Sequence, residues 1–168
     1  MARIPKTSAL MEIKAVVMDF DGVHTDDTVY VDEHGNESVR CSRSDGMGIA
    51  AMKENGFKLL ILSKEKNAVV SRRGAKLDVE VIQGCDNKLE TLKTWLSTHS
   101  IDANECIYIG NDINDLECLD FVGISAAPSD AHKSIAHSIS WKLSHKGGRG
   151  AIREMSDVLI NAIKKEKE

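Results

Sequence analysis

Val16-Val17-Met18-Asp19-Phe20-Asp21-Gly22-Val23-His24-Thr25 carries an apolar run into two carboxylates separated by one residue, with glycine directly behind them. A short β-branched run of this kind suits a buried strand, placed here over residues 13–20, that delivers Asp19 and Asp21 to its carboxyl end. Side chains two apart in a strand point to one face, so the two carboxylates are expected side by side. Adjacent carboxylates repel unless a cation lies between them, and Mg²⁺ suits oxygen donors. With 26 acidic residues in the chain, a plain polar strand end competes with this reading, and the surrounding sequence has to choose.

Working outward, Val29/Val31 and Val39/Cys41 alternate with polar residues on either side of Asp32-Glu33-His34-Gly35-Asn36, which predicts a β-hairpin over 28–41. Ser44-Asp45 opens a helix that runs through Asn55 and stops at Gly56. Strands follow at 57–62, closing on Ser63, at 79–82, 107–109 and 122–126, with a last one at 138–141. Helices are expected at 67–77, 87–98, through Asp120, in a short piece opened by Pro128-Ser129-Asp130, and from the Gly147-Gly148-Arg149-Gly150 loop to about 164. Leu89, Leu92, Trp95 and Leu96 share one face of the 87–98 helix, as do Ile152, Met155, Leu159 and Ile163 in the last helix. Strands alternating with helices imply an α/β fold: a three-layer, Rossmann-like parallel sheet covered on both faces. Ligands of such sheets bind beyond the carboxyl ends of the strands, where Asp19/Asp21, Ser63 and Asn111/Asp115 all fall.

A chain of 168 residues suits one domain, assigned to 12–165 behind a flexible leader at 1–11. A net charge of -4 and an aromatic content of 4% argue against nucleic-acid binding. No apolar run reaches the ~20 residues a membrane span needs, and the first ten residues lack a signal-peptide core. Cys41, Cys85, Cys106 and Cys118 are widely spaced, as reduced thiols of a cytoplasmic protein would be. Lys88 opens a helix, a poor place for a cation, so an anionic partner is expected there. Arg149, in a glycine-rich loop before a helix, is a second anion candidate; the alternative is a turn that needs only its glycines. His24 stands beside the carboxylates, where it would tune the pocket entrance.

Asp19-x-Asp21-Gly22 after the first strand, Ser63 after the second, Lys88 at a helix start and Gly110-Asn111-Asp112-x-x-Asp115 after a later strand resemble the haloacid dehalogenase superfamily of phosphohydrolases. Gly22-Val23-His24-Thr25-Asp26, the hairpin in place of a cap domain, and Gly147-Gly148-Arg149-Gly150-Ala151-Ile152-Arg153-Glu154 are similar to its cap-less phosphatases of 3-deoxy-2-ulosonic acid phosphates. Those act on 3-deoxy-D-manno-octulosonate (KDO) 8-phosphate or on N-acylneuraminate and KDN 9-phosphates. Asp45-Gly46-Met47-Gly48 and residues 110–116 also resemble the version fused to acylneuraminate cytidylyltransferase.

The resemblance implies an aspartyl-phosphate mechanism, with Asp19 as nucleophile and Asp21 as general acid and base. It implies Mg²⁺ held by Asp19, the backbone carbonyl of Asp21 and Asn111, with Asp115 supporting the metal shell through water, and Ser63 and Lys88 binding phosphate oxygens. The family usually has aspartate where this chain has Asn111, whose amide oxygen ligates without charge, so weaker metal binding is expected. Glu65, Arg73 and Lys76, read as one helix face, resemble the marker of the 9-phosphate enzymes, Arg73 and Lys76 binding a sugar carboxylate and Glu65 its hydroxyls. That favours a 9-phosphate substrate, with KDO 8-phosphate as the alternative and a non-catalytic tetramerisation module of a cytidylyltransferase as the other. The subgroup also implies a homotetramer in which the hairpins pack together and cover neighbouring sites.

Overall fold

The computed structural model describes residues 4–164. Its elements are α1 (Thr7–Met11), β1 (Ala15–Met18), β2 (Thr25–Val31), β3 (Glu37–Cys41), α2 (Arg43–Glu54), β4 (Lys58–Leu62), α3 (Ala68–Leu77), β5 (Glu80–Ile82), α4 (Lys88–Thr98), β6 (Cys106–Ile109), α5 (Leu116–Phe121), β7 (Ile124–Ala127), β8 (Trp141–Lys142) and α6 (Ala151–Lys164). Six strands form one sheet in the order β5-β4-β1-β6-β7-β8, and every neighbouring pair is parallel. β2 and β3 form a separate antiparallel ribbon where a cap domain would stand.

The two middle strands, β1 and β6, are buried at every position because both faces of the sheet are covered. In β1, Val16 and Met18 pack with Ile49, Met52, Ile152, Met155 and Leu159 from α2 and α6. Ala15 and Val17 face the other way, against Leu92, Trp95, Leu96 and Leu119 from α4 and α5. Helix, sheet and helix are thus the three expected layers. From β1 the chain moves to β4 and β5 on one side, then returns through α4 to β6 on the other. The reversal puts the switch point of the sheet beside the carboxyl end of β1.

Several local readings differ from the structure. The leader assigned to 1–11 contains the turn of helix α1, whose Leu10 is buried in the core formed by α6. Residues 1–3, and the end of the domain assigned to 165, lie outside the described residues. Pro128-Ser129-Asp130 makes a turn, and the helical piece follows as a 3₁₀ segment at Lys133–Ser138. β1 ends at Met18, so Asp19 and Asp21 are not strand neighbours on one face. Cys106 and Cys118 are buried and Cys41 and Cys85 partly so, all as free thiols. Among the described residues no helix is long and apolar enough to cross a membrane.

Candidate active site

Asp19 extends the β1 ladder by one bond, its amide donating to the Ile109 carbonyl at 2.9 Å. The chain then winds into a tight turn in which the amides of Val23, His24 and Thr25 all point at the Phe20 carbonyl. Gly22 takes φ +74°, a left-handed conformation open to glycine. Thr25 fixes the turn from inside: its buried Oγ1 accepts the amides of Gly22 and Asp27, each at 3.2 Å. The glycine-rich loop seals it from outside, for a Cβ on Gly147 would stand 1.8 Å from the Gly22 carbonyl oxygen. Asp21 therefore reaches the site from a turn, and the two carboxylates meet because both line one cavity.

Lys88, the first residue of α4, is only 4% exposed. Its Nζ donates to Asp19 Oδ1 at 2.7 Å and to Asp115 Oδ1 at 2.8 Å. Burial works against its charge, but the two carboxylates outweigh burial and raise its pKa. Asp115 is fully buried; Oδ1 also accepts the Tyr108 hydroxyl at 2.7 Å, and Oδ2 accepts the Asn111 amide at 2.9 Å. Both oxygens of Asp115 thus accept from protein donors, which makes it an anchor for Lys88 and the Asn111 loop. Tyr108 was not legible as part of this group; the available signal was a polar-tipped aromatic inside an otherwise apolar strand, which needs a buried partner.

The cavity, about 420 Å³, is lined by Asp19, Asp21, Ser63, Glu65, Asn111 and Asp112, together with Asp27, Lys64, Lys66 and Asn114, which sequence reasoning had not placed there. A larger hollow of about 770 Å³, lined by Pro5, Ile124 and Leu143 among others, lies away from the carboxylates. In the first cavity negative charge is crowded. Burial and then the Asp115 charge push the Asp19 carboxyl up to about 7, against the pull of Lys88. Burial, then Glu65 and Asp27, push Asp21 up to about 6. Asp19 Oδ1 is occupied by Lys88 and the Phe20 amide, whereas no donor among the described residues takes Asp19 Oδ2, the Asp21 carbonyl or Asn111 Oδ1. No three His, Cys, Asp or Glu side chains among the described residues are grouped to hold a metal alone. The free oxygens nonetheless fit a hard cation, through one carboxylate, one carbonyl and one amide.

Ser63 follows β4 and is buried, its Oγ accepting the Glu65 amide at 3.1 Å. That bond leaves the hydroxyl proton free to point into the cavity. The other residues expected to read substrate are dispersed. Glu65 precedes α3 rather than lying on it, and its Oε1 accepts the amides of Lys66 and Asn67 at 2.6 and 2.7 Å, stapling its own loop. Arg73 Nη2 donates to the Ser42 carbonyl at 2.9 Å, beneath α2. Lys76 is exposed on α3, and neither Arg73 nor Lys76 lines the cavity of this protomer. Arg149 pairs with Asp26 Oδ2 at 3.2 Å in a separate cleft with Arg40 and Arg153. His24 turns inward, fully buried and stacked on Phe20 with ring centroids 5.6 Å apart.

Known proteins carry the same frame. The haloacid dehalogenase-like hydrolase profile matches residues 51–150. The KDO 8-phosphate phosphatase KdsC of Salmonella typhi is 32% identical over 151 residues, covering 89% of this chain and 80% of that protein. The KDO 8-phosphate phosphatase of Moraxella catarrhalis, solved with magnesium, phosphate and KDO, superposes with a TM-score of 0.90 at 28% identity, over 95% of this chain and 92% of that one. The cobalt-bound enzyme YrbI of Haemophilus influenzae gives a TM-score of 0.89 at 31% identity, over 94% and 92%. Sequence, fold and the placement of Asp19, Lys88 and Asp115 converge: this chain belongs to the haloacid dehalogenase-like hydrolases, close to the cap-less KDO 8-phosphate phosphatases.

Proposed function

We propose that this protein is a Mg²⁺-dependent phosphomonoester hydrolase acting on the phosphate of a 2-keto-3-deoxy sugar acid, with KDO 8-phosphate as the favoured substrate. The observation that carries the reading is the buried bridge from Lys88 to both Asp19 and Asp115, which sets one oxygen of Asp19 aside and leaves the other facing the cavity. A module kept only for assembly, such as one serving a cytidylyltransferase, has no use for a buried lysine held against two carboxylates.

The Asp19 carboxylate attacks phosphorus and the ester oxygen departs, leaving an aspartyl phosphate. Asp21, half-buried and shifted toward neutral pH, protonates the leaving alkoxide. The same carboxylate then takes a proton from the water that attacks phosphorus, which returns Asp19 and frees inorganic phosphate. Ser63 holds a phosphate oxygen throughout, and Lys88, bonded to Asp19 and Asp115, keeps the nucleophile in line. Mg²⁺, when bound by Asp19, the Asp21 carbonyl and Asn111, supplies the positive charge that keeps nucleophile and phosphate together.

The preference for KDO 8-phosphate rests on the relatives above and on Arg73 and Lys76 lying off the cavity of the single protomer. Glu65 at the cavity wall favours a second reading, an N-acylneuraminate or KDN 9-phosphate. The hairpin supports a homotetramer: Val29, Tyr30 and Val31 are exposed on a ribbon that joins no other strand, and such ribbons need a partner. Phosphate release from a panel of sugar-acid phosphates with Mg²⁺ tests the reading. KDO 8-phosphate should show the highest kcat/KM; faster turnover of a 9-phosphate would move the assignment, and no release from any member would refute it.

A further inference from the structure

We infer that Tyr108 is a positioning residue for phosphoryl transfer, acting on Asp19 through Asp115 and Lys88; the inference rests on the proposed phosphatase reading. Tyr108 comes from the middle of β6 and is fully buried, so its hydroxyl has no access to substrate. That hydroxyl donates to Asp115 Oδ1 at 2.7 Å, the same oxygen that receives Lys88 Nζ at 2.8 Å. Lys88 in turn donates to Asp19 Oδ1 at 2.7 Å. Four side chains, from the residue after β1, from β6, from α4 and from the turn before α5, thus form one buried chain of charge-assisted hydrogen bonds.

Oδ1 of Asp115 has two lone pairs. With Tyr108 in one, Lys88 is confined to the other, and this fixes the direction from which Nζ meets Asp19. Without the hydroxyl, the ammonium has two sites on Asp115 and swings between them. The Asp19 carboxylate then loses its fixed line of attack, while the contact of Ser63 with substrate is untouched. An effect of this kind falls on kcat, because misplacement of the reacting group costs rate rather than affinity.

The test is Tyr108→Phe, which keeps the ring and its packing, measured with KDO 8-phosphate and 4-nitrophenyl phosphate in Mg²⁺. The expected result is a kcat about tenfold lower with KM within about twofold. A second readout needs neither substrate nor metal: the ¹⁵N–¹H signal of the buried Lys88 ammonium, assigned by its loss in Lys88→Met, should broaden and shift in Tyr108→Phe. Unchanged kcat with an unchanged ammonium signal overturns the inference, as does a KM increase that accounts for the whole loss. If the wild type releases no phosphate, the phosphatase reading falls and the ammonium signal alone decides the role of Tyr108. Should Tyr108→Phe fail to fold, 3-fluorotyrosine keeps ring and donor and enters the chain only at Tyr30 and Tyr108; a Lys88 signal that does not move under that replacement overturns the inference equally.

Discussion

Gly22 and Asn111 are packed so closely that a Cβ on Gly22 would stand 1.9 Å from Asn111 Nδ2. The contact ties the turn after β1 to the loop after β6, the two segments that carry the proposed metal donors. Gly22→Ala therefore strains the left-handed backbone by about 1–2 kcal/mol and also displaces Asn111. Phosphate release should fall at least ~100-fold, since a misplacement near 1 Å costs that much, and thermal denaturation should show a lower melting temperature. An alanine variant with wild-type turnover contradicts this packing.

Asn111→Asp restores a charged donor at a site that has only an amide. Half-saturation by Mg²⁺ should fall about tenfold, because ligand charge sets the affinity of oxygen sites. The metal-free variant should melt lower than the wild type, for a further carboxylate then joins Asp19, Asp21 and Asp112 around one cavity. A Mg²⁺ titration that does not change removes Asn111 from the metal set.

The strands of the sheet were legible because both of its faces are buried, so residues 59–62 and 107–109 read as short runs of large, mostly apolar side chains. Asp19, Ser63 and Lys88 were legible from their order at strand and helix ends. The turn that carries Asp21 was not, because its shape is set by the Thr25 hydroxyl and by Gly147, a residue more than 120 positions away. The place of Glu65 before the helix was not legible, because a carboxylate next to free backbone amides caps its own loop. The pairing of Arg149 was not legible because its partner, Asp26, lies on the hairpin 123 residues earlier.

His24 gives the fold a pH dependence of known sign. Burial, and then the charge of Arg73, lower its pKa to about 3, against roughly 6.5 for an unfolded histidine. Between those values the unfolded chain binds the proton that the folded chain refuses. Stability from this residue is complete above pH 6.5 and is lost as pH falls toward 3, by at most ~1.4 kcal/mol per pH unit. Denaturant unfolding of His24→Phe and wild type across pH 4–7 isolates the effect: the variant should gain on the wild type as pH falls. A difference that stays constant with pH contradicts the burial of a neutral imidazole.

Tyr30 is 71% exposed on the hairpin, flanked by Val29 and Val31. If the ribbons of several copies pack together, Tyr30→Glu places a charge in each contact. Sedimentation should show the wild type as a tetramer and the variant as smaller species with an unchanged circular dichroism spectrum. A wild type that sediments as a monomer at micromolar concentration removes the assembly.

In the proposed reaction Asp19 is the group that takes the phosphoryl from substrate. Asp21→Asn, given ³²P-labelled 4-nitrophenyl phosphate and Mg²⁺, should accumulate label on the protein, because this leaving group needs little acid help while dephosphorylation lacks its base. The label should approach one per chain, be released by hydroxylamine as an acyl phosphate is, map to the peptide containing Asp19, and be absent from Asp19→Asn. Turnover by the wild type with no trapped label in Asp21→Asn, or label that persists in Asp19→Asn, would contradict the assignment of Asp19.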